Sequence, residues 1–353
     1  MVDLCTRSIY LLEVAVLNAA GAECADLQGP APVAQPLPFD SSLLAHALAT
    51  PRLAAELFDR KIQRSVEPQG LRLLQCVARL AAPLQALQLA PERIALTAAI
   101  PEVDAPSPCW EAVEAIQRQP DKLLGQLFAN TPPLHAITLL NSSVMAYVAE
   151  ALQCNGAMGG YCSQGNAGLD ALIEAVVQIA EQRADAALVV SSSPNLTPAL
   201  YLRDGPLADA PLYGEGAAAL LLATAPTPGA TQVVRIAGFA RAYCADSARS
   251  RLVAERVLNQ ALGAQKLCLN DLRLVVADPQ DAVLAELLGA VGPLRSSRGV
   301  TGELGASALL TEIAYALGAD RAPGQGYALL MTRSRAGHCG ALLLAIENRE
   351  KQA

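Results

Sequence analysis

The chain has 353 residues, 52% of them hydrophobic and 17% charged, with a formal net charge of -7 at pH 7. That length and apolar content suit one large fold or two domains around an extensive core and exclude a disordered chain. The acidic balance offers no attraction to nucleic acid or to an anionic membrane. Nine cysteines without a CxxC pair and three histidines supply neither a zinc ligand set nor a disulfide framework. Reduced thiols, a cytoplasmic location and no metal are therefore expected.

The N-terminal segment has a short apolar run that contains Glu13 and Asn18, with Arg7 the one basic residue before it. It predicts a first strand rather than a signal peptide, and no later stretch reaches the roughly 18 apolar residues of a spanning helix. The proline-rich residues 28–39 predict an extended surface loop, and Leu-Leu-Ala-His-Ala-Leu around His46 reads as helix. Helical spacing over Leu71–Leu89, then Pro91-Glu92-Arg93 and the strand-like Ile94–Thr97, make one helix-to-strand step of an α/β fold. In the middle, Asn166 is a candidate cap for a helix carrying Leu169, Leu172, Ile173, Val176 and Ile179 and ending near Arg183. A buried strand over Ala184–Val190 comes next, and Gly214-Glu215-Gly216 introduces another, Ala217–Ala223.

The break Ala225-Pro226-Thr227-Pro228-Gly229 separates two halves with the same grammar, 1–225 and 230–353. The second half predicts a helix over Ser250–Ala264, a strand over Leu272–Ala277, a helix over Ala282–Val291 and a loop through Arg298. A helix over Ala306–Leu317 and strands near Tyr327–Thr332 and Ala341–Glu347 complete it.

Four landmarks occur in order: GYCSQGNAGLDALIEA (160–175) with ADAALVVSSS behind it, GEGAAALLL (214–222), SRGVTGELGASALLTEIAYAL (297–317) and AGHCGALLLAI (336–346). In order and spacing they resemble the β-ketoacyl-acyl-carrier-protein synthases of the thiolase superfamily over most of the chain. The resemblance implies a thiolase-like five-layer α/β/α/β/α fold with two pseudo-symmetric halves. It also implies an active site from which this sequence departs. Family members need a cysteine at the N-terminus of the buried helix, where the helix dipole and backbone amides favour the thiolate. They also need two histidines that assist decarboxylation of a malonyl carrier and stabilise the resulting charge.

Counted back from Ala184-Asp185 without a gap, the nucleophile position holds Gly165. The first histidine position reads Asp278-Pro279-Gln280 in place of His-Gly-Thr, and the second reads Thr301-Gly302-Glu303 in place of Thr-Gly-His. The lysine that precedes the second motif is Arg298, which keeps the charge and changes the geometry. The late glycine-rich turn is altered to Gly337-His338-Cys339-Gly340. This pattern resembles the chain-length factors of type II polyketide systems, and the short chain resembles the reduced subunits of that kind in aryl polyene pathways. The resemblance to those subunits implies a protein with no catalytic residue and no cofactor. It would form a heterodimer with a catalytic β-ketoacyl synthase and meet an acyl carrier protein.

Other readings stand beside this one. Cys162, three residues before Gly165, is the fallback nucleophile of an autonomous acyltransferase or condensing enzyme, against a bland reading as a buried strand cysteine. Cys339 beside His338 suggests a thiolate pair, but neighbours on a strand face opposite ways, and both read better as turn residues. His46 and His135 read as packing or surface histidines. Asp278 and Glu303 are either a carboxylate pair for acid–base chemistry or partners of Arg298. Trp110, Val113, Leu123, Leu124, Leu127 and Phe128 are candidate stops for an acyl chain at a subunit interface, or the core face of an ordinary amphipathic helix. The strand Ala157–Cys162, with Gly159 and Gly160, is the candidate for pairing across that interface. A homodimeric acyl-binding scaffold is the remaining alternative.

Overall fold

The structure is a computed structural model that describes residues 7–101, 110–131, 141–162, 164–203 and 210–349. The chain runs through β1 (Tyr10–Asn18), β2 (Gln35–Leu37), β3 (Asp40–His46), α1 (Arg60–Ser65), α2 (Pro68–Ala86) and β4 (Ile94–Ala99). It continues with α3 (Trp110–Arg118), α4 (Leu123–Asn130), α5 (Asn141–Leu152), β5 (Met158–Tyr161), α6 (Ala167–Ala180) and β6 (Ala186–Ser192). Next come α7 (Pro198–Arg203), β7 (Tyr213–Gly214), β8 (Gly216–Ala223), β9 (Gln232–Tyr243) and α8 (Ser250–Gly263). The last elements are β10 (Leu274–Val276), α9 (Ala282–Leu288), α10 (Arg298–Thr301), α11 (Ala308–Ala319), β11 (Gly324–Arg333) and β12 (His338–Asn348).

Nine strands hydrogen-bond in the order β10-β11-β12-β9-β1-β8-β6-β4-β5. The seam is narrow: β1 pairs with β8 along its length and meets β9 only through Tyr10 and Leu11. Of these nine, β1, β4, β5, β6 and β8 form one wing and β9 to β12 the other, while β2, β3 and β7 make a separate three-stranded sheet. Within each wing side chains alternate between two packed faces, as the period of a strand requires. Ala187 and Val189 of β6 join the central cluster with Leu169 and Leu309, while Leu188 and Val190 pack with Leu73 and Leu80 of α2. In the other wing Leu342 and Leu344 face the central cluster, and Leu343 packs with Leu258 of α8.

The layers are thus α2 with α5, the first wing, α6 with α11, the second wing, and α8 with α9. The middle layer is legible in composition, because α6 and α11 are apolar almost all round, as a helix covered on every side must be. Gly168 lets them cross closely: a Cβ there would lie 2.9 Å from Leu310 Cδ1 and 3.1 Å from the Ala306 carbonyl oxygen. Buried Leu169, Leu172, Val176 and Ile179 each contribute on the order of 1.5–3 kcal/mol, more than any cap of about 1 kcal/mol. Asn166 does occupy the N-cap position, but its side chain makes no capping bond.

Several local expectations are corrected. His46 ends strand β3, pairing with Gly214, rather than lying in a helix. Three residues of the proline-rich segment form the edge strand β2, where Pro36 is tolerated because an edge has donors to spare. Arg298 opens a short helix instead of lying in a loop, and His338 and Cys339 start β12 instead of forming a turn. The segment from Trp110 to Phe128 is two helices, broken where Pro120 lacks a backbone donor. Neither β9 nor α5 was anticipated. Among the described residues no helix is long and apolar enough to cross a membrane.

Candidate functional site

Gly165 lies in the turn Gln164–Asn166 that leads into α6. Asp278 lies two residues beyond β10, Arg298 opens α10, Glu303 lies just beyond it, and Glu312 lies on α11. Strand β12 comes close to the start of α6 at Gly340. A Cβ on Gly340 would collide with the Leu169 side chain and lie 2.7 Å from Asn166 Oδ1. That oxygen instead accepts a hydrogen bond from Thr332 Oγ1 at 3.4 Å. Gly165 is under no such constraint: a Cβ there would meet Ser334 Cβ at 3.7 Å, an ordinary contact.

The charged groups form a connected set. The Arg298 guanidinium pairs with Asp278 through Nη1 and with Glu303 Oε2 through Nη2 at 2.9 Å. The other oxygens of both acids serve their own loops, Asp278 Oδ1 accepting from Gln280 N and Glu303 Oε1 from Gly305 N, each at 2.9 Å. Arg333 Nε pairs with Asp281 Oδ2 at 2.7 Å, and Asp281 Oδ1 caps α9 by accepting from Val283 N and Leu284 N. Glu312 accepts from Ser296 Oγ and from Ser297 N at 2.9 Å. Desolvation pushes its carboxyl up to about 7, against the pull of those donors and with Asp278 nearby adding to the rise.

These residues line two adjoining cavities, a smaller one of about 70 Å³ and a larger one of about 450 Å³. Glu312 and Thr301 face the smaller cavity, Tyr213 and Arg335 the larger, and Gly165, Asp278, Arg298 and Glu303 face both. Neither a cysteine nor a histidine lines either cavity among the described residues. No His, Cys, Asp and Glu group among them is arranged to hold a metal ion.

The remaining candidates are scattered. Cys162 is exposed rather than buried, one residue beyond β5, and lines neither cavity. Cys339 is buried, with its thiol pushed up to about 11 by desolvation, and His338 packs its ring against Tyr243 at 5.1 Å. His46 is buried with both ring nitrogens unpartnered, and His135 lies outside the described residues. Val113, Leu123, Leu124, Leu127 and Phe128 are all exposed, so they are not the core face of a helix. Trp110 opens α3, and its side chain lies outside the described residues. Gly159 and Gly160 lie on β5, which pairs with β4 at one end of the sheet.

Sequence reasoning missed Glu312, Asp281 and Arg333. A lone acid in the otherwise apolar ALLTEIAYALGA, and an aspartate directly before a helical run, were signals for the first two. Arg333 carried none.

No protein-family model and no curated protein matches the sequence. Solved structures match almost end to end. The chain is similar to the ishigamide ketosynthase/chain length factor, with 16% identity, a TM-score of 0.74 and coverage of 96% of this chain and 99% of that one. It is also similar to AntDE:AntF, a type II PKS acyl-carrier protein in complex with its ketosynthase bound to the hexaketide (13%, TM-score 0.72, 96% and 99%). A third is the ketosynthase ApeO in complex with its chain length factor ApeC from Xenorhabdus doucetiae (14%, TM-score 0.69, 97% and 98%). At these identities the likeness is one of fold, and it agrees with the layers traced above: the chain has the thiolase-like ketosynthase fold.

Proposed function

We propose that this chain is the non-catalytic, chain-length-factor-like subunit of a heterodimer whose partner is a catalytic β-ketoacyl synthase. The partner supplies the cysteine and histidines for decarboxylative Claisen condensation on acyl-carrier-protein thioesters. This chain completes the assembly and shapes the acyl tunnel. Carrying the reading is the Arg298 bridge to Asp278 and Glu303 at the cavity beside Gly165. Condensation builds negative charge on an oxygen, which needs hydrogen-bond donors aimed at it and a nucleophile to hold the chain. Ionised carboxylates only accept hydrogen bonds, and their charge opposes the one that develops. Glycine holds no acyl group.

The exposed apolar face supports a partner. An eight-residue helix, α4, presents Leu123, Leu124, Leu127 and Phe128 to solvent, Phe128 at 79% exposure, and such a patch marks an interaction surface. Strand β5 lies at the end of the sheet with Met158 exposed, an edge suited to pairing with another chain. The two halves, 1–225 and 230–353, act as one unit in this reading. Kinship with aryl polyene subunits is part of this reading, and the fold shared with the ApeO–ApeC structure supports it.

The test is co-expression with a catalytic β-ketoacyl synthase from the same genome, with size-exclusion chromatography and then intact-mass analysis after incubation with acyl- and malonyl-carrier protein. A one-to-one complex acylated only on the partner is the expected outcome. An adduct on Cys162 would replace the proposal with an autonomous enzyme, and a homodimer that ignores the ketosynthase would replace it with a scaffold.

A further inference from the structure

A third cavity, of about 300 Å³, lies toward the other end of β10 and shares no lining residue with the two beside Gly165. Its walls are residues 272–275 of that strand and its approach, the segment 291–295, and the loop 319–322 that leaves α11. Three arginines line it, Arg273, Arg295 and Arg321, against one acid, Asp320. The smaller cavity beside Gly165 has the opposite balance, with four acids against two arginines. We propose that this third cavity is an anion site that takes the phosphate group of a small organic phosphate monoester.

The charges do not cancel within the cavity. Arg273 is committed to the wall: Nη1 pairs with Asp320 Oδ1 at 3.1 Å and donates to the Ala322 carbonyl oxygen at 2.7 Å, and Nη2 donates to the Gly324 carbonyl oxygen at 3.1 Å. Those bonds neutralise Asp320, whose side chain is buried, and fix the loop that carries it. Among the described residues Arg295 makes no side-chain hydrogen bond or ion pair, and Arg321 makes only the bond from Nε to the Gly318 carbonyl oxygen at 3.1 Å. Two guanidinium charges are left to the cavity, in a chain whose formal net charge is -7. The carbonyls at the end of α11 would oppose an anion, but they are already engaged. Ala316 O accepts from Asp320 N, Leu317 O from Gln232 Nε2 and Gly318 O from Arg321. The backbone of Arg295 is held against β10, Ala277 N donating to its carbonyl oxygen at 2.8 Å. Guanidinium groups match phosphate oxygens with paired donors, and two of them balance a dianion. Leu272, Val275, Val291 and Pro293 supply apolar wall for an organic body, and a volume at the small end of ligand pockets keeps that body compact.

The probe is phenyl phosphate, with inorganic phosphate and phenol beside it, titrated into the whole chain by isothermal calorimetry at about 0.05 M salt. Phenyl phosphate is expected to bind saturably at one site, more tightly than inorganic phosphate, and phenol not at all. Arg295→Gln and Arg321→Gln should each weaken that binding roughly tenfold, the loss of one charge-assisted contact. Arg256→Gln, at an exposed arginine of α8 that lines none of these cavities, should leave it unchanged. Arg295 has no side-chain partner to lose, so its variant keeps the stability of the parent and the test stands even where Arg321→Gln does not fold. No saturable binding up to about 10 mM, or equal weakening by Arg295→Gln and Arg256→Gln, overturns the site. Phenol binding as well as phenyl phosphate would overturn recognition of the phosphate, and inorganic phosphate binding as well would overturn the organic ester. The titration needs no ketosynthase, so its failure and that of the proposed function are read separately.

Discussion

The backbone N–H of Ser297 donates to the carboxylate of Glu312 at 2.9 Å. Burial nonetheless holds that carboxyl at about 7, so in the folded chain it keeps its proton through the mildly acid range.

A pH dependence of definite sign results. The unfolded chain releases this proton near 4.5, the folded chain only near 7. Stability from Glu312 is therefore fully present below about 4.5 and is lost as pH rises through 7. Glu312→Gln keeps the acceptor and removes the titration. It should gain roughly 2 kcal/mol on the parent chain between pH 5 and pH 8, a figure discounted for the solvent of the cavity it lines. Urea denaturation at the two pH values measures it, and an equal difference at both would place Glu312 in contact with bulk solvent.

His46 works in the opposite window. Desolvation lowers its pKa below the ordinary 6.5, and neither ring nitrogen has a partner. The unfolded chain takes up a proton near 6.5 that the folded chain refuses, so stability falls as pH drops below 6.5. His46→Leu removes both the titration and the unpartnered polar atoms. It should stabilise the chain by about 1 kcal/mol at neutral pH and flatten the stability profile between pH 6.5 and pH 5. A variant that melts below the parent at every pH would mean that the ring is hydrogen-bonded in solution.

How legible these features were depends on how local their cause is. The middle layer could be read because a helix buried on all sides is apolar on all sides, as Leu169, Leu172, Val176 and Ile179 are. The residues beside Arg298 could be placed because each comes after a recognisable strand or turn. His46 was misread as helical because Leu-Leu-Ala-His-Ala-Leu suits a helix in isolation, while its pairing with Gly214 is set by a strand some 170 positions away. Cys162 was misread as buried because strand periodicity cannot say which strand ends the sheet. The partnership of Arg333 with Asp281 spans 52 positions with no pattern to announce it.

Gly165 and Gly340 separate function from packing. A side chain at Gly165 meets only an ordinary contact with Ser334, whereas one at Gly340 collides with Leu169. Gly165→Cys should therefore fold, with a cost within about 1 kcal/mol, and still release no carbon dioxide from malonyl-carrier protein, because no imidazole among the described residues faces the cavity. Gly340→Ala should cost about 1–3 kcal/mol through overpacking. Thermal melts and a decarboxylation assay decide both. Turnover by Gly165→Cys would show that the carboxylates permit the chemistry, and an unperturbed Gly340→Ala would show that α6 and β12 have room to part.

The exposed face of α4 makes the last prediction. Leu124 and Phe128 lie four positions apart, hence on one side of the helix, and they are 64% and 79% exposed. Side chains so placed contribute little to the fold of the single chain, so Leu124→Asp with Phe128→Asp should leave its Tm within a degree or two. In a complex the same two charges would be buried without partners, a cost of several kcal/mol. Co-purification with the ketosynthase should then fall by about a hundredfold or more at micromolar protein. If the interface uses only the edge of β5, the double variant will bind as the parent does while a proline placed at Gly159 will not. If both bind, the partner covers neither surface, and α4 must be sought as a contact for the carrier protein instead.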